Sequence, residues 1–347
     1  MDPLDHPPLS SLHLHLLPST RETYLVTGGA GFIGSHLVAR LLAEGAAVRV
    51  LDNGATGDFS RLDGLAGDLD CHQGDIRDIA DVARAMAGVD RVFHQAAEVS
   101  VPRSVADPVG TYAVNVTGTL NVLEAARAAG VRRVVMASTS AVYGDDPEMP
   151  KRESITPRPI SPYASSKLAD EGLSAVYARC FGLATVALRY FNVYGPGQDP
   201  APAYAAVIPK MIDLVRQRRS AVIYGDGEQT RDFVYVGDVV EANLLAMTSP
   251  HASGGGLAGG VYNIASGGGI SLNRMLDLIG DVFGRELVAE YLPERAGDIR
   301  HSVADASLAA ERLGFRATTP FAEGLRRTMA AGLARAPAVS TRLAGVA

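Results

Sequence analysis

Cysteine is scarce: Cys71 and Cys180 are the only two in 347 residues. Their wide separation offers neither a disulfide framework nor a metal-ligand pair, which points to a reducing compartment. No apolar run approaches the length of a membrane span. No block of Lys or Arg stands out either, in a chain whose formal net charge is −6. That balance argues against nucleic acid or an anionic membrane as a partner, so any anionic ligand has to be met by local groups. The opening MDPLDHPPLSSLHLHLLPST is broken by prolines and begins with acidic Asp2 and Asp5, which excludes a signal peptide. His13 and His15 alternate there without further ligands and make a poor metal site. Residues 1–21 are therefore expected to be a disordered leader, the chain to be cytoplasmic, and no metal to be bound.

With 47% hydrophobic residues, the chain can build a substantial core. From Tyr24 short apolar runs alternate with helical stretches: YLVTG, VRVLDN, RVFHQAA, RVVMAST and ATVALRYFN read as strands, with room for a crossover helix between them. That order predicts an α/β fold with a doubly wound parallel sheet. After residue 195 the texture changes to Pro/Gly-rich loops and shorter elements, read as a smaller α/β substrate lobe over the carboxyl ends of the strands. The expected division is 22–195 for the sheet domain and 196–335 for the lobe, the chain interleaving between them, with 336–347 a loose tail.

In VTGGAGFIGSHLVARLL, Gly28, Gly31 and Gly34 lie between a strand and a helix. Such glycines permit a tight turn and close backbone approach to a diphosphate at the helix N-terminus. The spacing is GxxGxxG, an approximation to the usual GxGxxG fingerprint. The required context is nevertheless present, because Asp52 ends the next strand and can accept both adenosine ribose hydroxyls. A carboxylate there repels a 2′-phosphate, so the expected cofactor is NAD on a Rossmann sheet.

The stretch SPYASSK opens a helix: Ser161 suits the N-cap, Pro162 the first helical position, and Gly182 the stop. Tyr163 and Lys167, four apart, leave the same face, so an ammonium can lie near a phenol.

These motifs, together with GDIRD, HQAA, NVTGTLNVLEAA, STSAVYG, LRYFNVYGPG, RDFVYVGDV and RAGDIRHSVAD, occur in the order found in the extended short-chain dehydrogenase/reductase family. The chain resembles that family over residues 22 to 330, and within it is most similar to the NAD-dependent UDP-hexose 4-epimerases, particularly the UDP-N-acetylglucosamine type. The resemblance implies a cofactor site of Gly28, Gly31, Phe32, Ile33, Gly34, Asp52, Asn53, Asp75, Ile76, Ala96, Ala97, Asn115, Ser138, Tyr163 and Lys167. Asp75 and Ile76 flank the adenine in this pattern, and Asn115 supports the site or simply satisfies backbone groups. His94 reads as a packed strand residue.

The same resemblance implies catalysis by Thr139, Tyr163 and Lys167. Tyr163 takes the proton of a sugar hydroxyl, Lys167 and the positive nicotinamide favour its phenolate, and Thr139 orients the substrate oxygen, with Ser138 and Ser140 as rivals. A UDP-sugar would contact Ser100, Arg103, Thr139, Ser140, Asn192, Arg231, Arg295, Asp298 and Ser302, the two arginines Arg231 and Arg295 on the diphosphate. Ser302 matches a position where a small residue admits N-acetyl groups. Members of the family pair two helices into a homodimer, here the helix after Ser161 and the one containing Asn115. The implied reaction interconverts UDP-GlcNAc and UDP-GalNAc, and UDP-Glc and UDP-Gal, through a 4-keto sugar. Rival readings are a sugar 4,6-dehydratase, a UDP-glucuronate decarboxylase or epimerase, and a non-catalytic NAD-sensing Rossmann protein. Ala141 stands where the lyases carry an acid. Gly197 and Gln198 replace the arginine usual in glucuronate epimerases, and the presence of both Tyr163 and Lys167 speaks against the sensor.

Overall fold

Strands buried on both faces have no water-facing side to keep polar, so they read as nearly continuous apolar runs. The five expected runs form such strands. The structure, a computed structural model, describes residues 22–199, 207–217, 219–251, 259–294 and 300–334. The expected leader, with His13 and His15, and the expected tail lie outside the described residues.

In chain order the strands are β1 (Thr23–Thr27), β2 (Ala47–Asp52), β3 (Leu69–Gln73), β4 (Arg91–His94), β5 (Arg133–Thr139), β6 (Ala184–Tyr190), β7 (Asn192–Tyr194), β8 (Ala221–Tyr224), β9 (Thr230–Tyr235), β10 (Gly260–Ile264), β11 (Gly269–Ser271), β12 (Ala289–Leu292) and β13 (His301–Ser302). The helices are α1 (Phe32–Ala43), α2 (Ile79–Met86), α3 (Val101–Ala106), α4 (Pro108–Tyr112), α5 (Gly118–Ala128), α6 (Pro162–Phe181), α7 (Val207–Arg216), α8 (Val236–Thr248), α9 (Leu272–Phe283), α10 (Ser307–Leu313) and α11 (Phe321–Ala334).

Seven strands pair in parallel in the order β10-β6-β5-β4-β1-β2-β3. The direction of winding reverses between β1 and β4, the place where such sheets bind ligands at their carboxyl ends. Side chains alternate between the two faces. Tyr24, Val26, Val50 and Phe93 pack with α1 and α8, whereas Leu25, Leu51, Val92 and Val134 pack with α2, α5 and Tyr177 of α6. Two members escape a search for apolar runs. β3, LDCHQ, is an edge strand with no fully buried residue, and β10 adds to β6 after the chain has passed through the lobe. RVFHQAA leaves the sheet after His94, and Gln95 makes the last ladder bond by donating to the Thr27 carbonyl.

The lobe is organised on β9, which pairs with β11, β13 and β7. Its own core joins Ile208 and Met211 of α7, Phe233 of β9, Met275 and Ile279 of α9 and Leu325 of α11. A separate parallel pair, β8 and β12, lies beside it.

α6 begins and ends where its sequence signals fall. Ser161 Oγ accepts the Ala164 N–H at 3.1 Å, Pro162 occupies the first turn, and Gly182 closes the helix at φ +70°. Its Glu171 is buried and takes Arg189 of β6 in a two-pronged pair, at 2.9 and 2.7 Å. Breaking such a pair by removing one charge costs about 3 to 5 kcal/mol. Glu171→Gln is therefore expected to lower the unfolding free energy by about that amount in urea titrations; a loss below about 1 kcal/mol would mean that the pair does not hold α6 to the sheet.

Candidate active site

The turn between β1 and α1 is built by close approach. A Cβ on Gly34 would stand 2.1 Å from the Gly28 carbonyl oxygen, and one on Gly28, itself at φ +68°, would stand 2.7 Å from the Ala96 nitrogen. The twelve-residue α1 starts at Phe32 with Gly31 as its N-cap, no side chain bonded there and no acid in the first turn. Its first N–H groups, Phe32 and Ile33 among them, are therefore left for an anion.

Asp52, at the end of β2, is buried. Its Oδ1 accepts the Gly54 N–H at 2.9 Å and its Oδ2 the Ala30 N–H at 3.1 Å. Each oxygen keeps a second lone-pair site for a ribose hydroxyl. Asn53 donates to Asp75 at 2.9 Å, and Arg77 grips both Asp75 oxygens at 3.0 and 2.8 Å. Arg77 holds the Asp75 carboxyl far below the usual carboxylate range. Ile76 is buried against Gly118, where a Cβ would come within 2.5 Å of it. Ala96 approaches Thr27 through its N–H, 3.4 Å from the hydroxyl, and Ala97 follows it out of the sheet. Thus the glycine turn and Asp52 match the shape and donor chemistry of a dinucleotide.

Asn115 sits in a π-turn, Ala113–Thr117, and is wholly buried. Its oxygen accepts the Glu98 N–H at 2.8 Å, and its nitrogen donates to the Glu98 carbonyl at 3.0 Å and to Ser166 at 2.8 Å. With the amide so occupied, Asn115 ties the segment after β4 to α6.

Tyr163 lies in the first turn of α6, facing the end of β5. Of the three neighbouring hydroxyls, Thr139 is the one whose side chain acts on the phenol. Ser138 instead donates to Glu171 at 2.5 Å, and Ser140 opens a 3-10 turn that Thr139 caps by accepting the Ala141 N–H at 3.2 Å. Burial raises the phenol above its ordinary value, while the Lys167 charge and the Thr139 side chain pull it back. In the protein alone burial prevails, so the phenol keeps its proton at neutral pH.

Beyond β6 a cavity of about 510 Å³ is lined by Asn192, Tyr194, Gln198, Gln229, Arg231 and Phe233 with apolar residues of α7 and α9. Ser302 is the register partner of Arg231 across β13 and β9. Arg295 and Asp298 lie outside the described residues. Neither Ser100 nor Arg103 lines the cavity: Ser100 caps α3 by accepting the Arg103 N–H at 3.2 Å, and Arg103 pairs with Glu98 at 3.2 Å. Tyr194, Gln229 and Phe233 flank the motif residues Asn192 and Arg231 in sequence, at the alternate spacing of strands. That spacing was the available signal for them.

Among known proteins, the profile of the NAD dependent epimerase/dehydratase family matches residues 24–265. The UDP-glucose 4-epimerase of Mycolicibacterium smegmatis is 39% identical over 312 residues, 88% of this chain and 96% of that protein. A UDP-N-acetylglucosamine 4-epimerase from Methanobrevibacter ruminantium, solved with UDP-N-acetylmuramic acid, superimposes with a TM-score of 0.85 at 39% identity, covering 91% of this chain and 99% of that one. The Thermus thermophilus UDP-glucose 4-epimerase complexed with NAD gives 0.80 at 40% identity, covering 90% and 100%.

His94, at the end of β4, is buried with Nδ1 at 2.7 Å from the Thr27 hydroxyl and Nε2 at 2.9 Å from that of Thr119. Burial pushes the imidazole down to about 3, and the nearby Lys167 charge adds to the shift. Between that value and the ordinary 6.5, the unfolded chain binds a proton that the folded one refuses, so stability falls as pH falls through this window. The slope from this one group is about 1.4 kcal/mol per pH unit. His94→Gln is expected to flatten the loss of stability between about pH 6.5 and pH 4.5 in chemical denaturation; equal slopes in the two proteins would refute it.

Proposed function

The chain belongs to the NAD dependent epimerase/dehydratase family, and from that premise we infer that its site is a nucleotide-sugar 4-epimerase acting on UDP-hexoses, N-acetylated ones included. The reading rests on one observation above the rest: Tyr163 and the buried Lys167 share the start of α6, set against the Thr139 hydroxyl at the end of β5. Bound NAD supplies a reversible hydride acceptor and a positive charge that adds to that of Lys167. Gly28, Gly31, Gly34 and the start of α1 would hold its diphosphate, and Asp52 its ribose. Tyr163 accepts the proton of the C4 hydroxyl and later returns it, while Thr139 keeps the same oxygen in place. With NAD held there, the C4 hydride would have an acceptor while Tyr163 holds the hydroxyl proton, and return of both to the other face of the resulting 4-keto sugar would invert the configuration.

Elimination needs an added acid or base, and two residues past Thr139 the chain has only the Ala141 methyl. That favours epimerisation over dehydration. In an acidic chain the diphosphate of the substrate needs a local cation, and Arg231 lines the cavity. The neutral Gln198 lines it too, which suits an uncharged hexose.

The reading extends to a homodimer formed by α6 and the helical run through Asn115. Val109, Tyr112 and Leu120 on that run and Val176 and Phe181 on α6 are exposed apolar residues. It also places the protein in the cytoplasm, where the exposed thiols of Cys71 and Cys180 stay reduced. No helix among the described residues is long and apolar enough to cross a membrane.

A panel of UDP-sugars assayed without added NAD tests the function, since NAD regenerated in each cycle has no reason to leave. Tyr163→Phe is expected to keep the fold and bound NAD and to lose about 10²-fold or more in turnover. Near-normal turnover would remove Tyr163 from the mechanism. Ser302→Tyr places a rigid ring beside Arg231, and overpacking of that kind costs about 1 to 3 kcal/mol, roughly 10- to 100-fold. Turnover of UDP-N-acetylglucosamine should fall by that factor while UDP-glucose is spared; equal loss of both substrates would count against Ser302 as the residue that admits the acetamido group.

A further inference from the structure

Lys167 is not a solitary cation beside Tyr163. Its Nζ lies 2.6 Å from Asp170 Oδ2, three residues further along α6, with side-chain exposures of 3% and 1%. Asp170 also feels the Thr119 hydroxyl of α5, although its Oδ1 has no well-formed hydrogen bond. Thr119 in turn meets His94, and His94 meets Thr27, the residue before Gly28. A polar string therefore runs through the interior from the glycine turn to the catalytic lysine.

We propose that Asp170 is the positioning residue of the catalytic pair: its carboxylate keeps the buried Lys167 charged and aimed, so that Tyr163 retains a positive neighbour throughout the reaction. The proposal rests on Tyr163 serving as the base. Epimerisation returns its proton to the oxygen that gave it up, so the site needs a constant field and no proton exit to water. An ammonium taken out of water with no counter-charge favours the neutral amine, and a neutral Lys167 would exert no such field. The carboxylate 2.6 Å away offsets that penalty, and the Lys167 charge in turn opposes the rise that burial imposes on the Asp170 carboxyl. Other charges around the pair are already engaged. Glu171 on α6 is held by Arg189 of β6, Glu98 after β4 by Arg103 of α3, and His94 of β4 is kept neutral by burial.

The test is the pH dependence of turnover in Asp170→Asn, read together with tyrosinate difference absorbance of the NAD-loaded protein, the Tyr163→Phe titration being subtracted. The acid limb and the phenolate midpoint should both move to higher pH by about one unit, with roughly tenfold lower turnover near neutrality that recovers in alkali. Asp170→Glu keeps the charge and should leave both midpoints at their wild-type positions. Wild-type midpoints in Asp170→Asn, or midpoints moved to lower pH, would overturn the proposal, as would a clear shift in Asp170→Glu if the Asn variant does not fold. Unchanged midpoints alongside an inactive Tyr163→Phe would sink this proposal alone, whereas an active Tyr163→Phe would sink the reading beneath it.

Discussion

Asp170 and Glu171 set two carboxylates in the dry interior behind the site, and each has to be met there by a cation approaching from its own side. Successive residues of a helix point about 100° apart. Asp170 can therefore reach Lys167 on its own face, while Glu171 turns to Arg189 on β6. Both pairs are satisfied together at only one rotation of α6 about its axis. That rotation also brings Tyr163, one turn before Lys167, to Thr139 at the end of β5. Arg189 further lies over the Tyr143 ring, 4.7 Å from its centre, and Glu171 accepts Ser138, so the turn after β5 is tied to the same charges. The catalytic geometry is a consequence of neutralising buried acids.

A second constraint comes from the overall charge. A chain with formal charge −6 binds anions only where local fields are arranged for them. At the glycine turn the field comes from a helix start without a side-chain cap. In the cavity beyond β6 it comes from Arg231, whose strand is held by the neighbouring Asp232. That buried carboxylate accepts Ser266 through N at 2.8 Å and Oγ at 2.7 Å, Gly267 at 3.0 Å and Ala304 at 3.2 Å. It thereby fastens β9 to the segment that follows Ser302. The two sides are also linked directly: His36 of α1 lies 2.8 Å from the Pro196 carbonyl, and Arg61 donates to the carbonyls of Ala30 and Gly197 at 3.1 and 3.2 Å.

What the sequence determined by itself are the features settled within a few residues of chain. A glycine forced to positive φ, a serine that caps and a proline that fits the first helical turn act through local backbone geometry. Gly28, Ser161, Pro162 and Gly182 were therefore legible, and with them the turn, the helix and the Tyr163 to Lys167 spacing. Asp52 was legible because a strand end carries its side chain to a predictable place. Tertiary structure alone decided which charges meet and which groups lose water. Arg189 and Glu171 are 18 residues apart and become partners only because β6 lies under α6. The edge strand β3 and the returning β10 carry no distinctive pattern, since one faces water and the other gains its neighbour after a long excursion. That Ser100 caps α3 and that Arg103 pairs with Glu98 are likewise contacts that only the folded chain shows. Asp170 reads in sequence as one more helical acid; burial beside Lys167 makes it part of the site, because the strength of a charge depends on the medium around it, which only the packed fold sets.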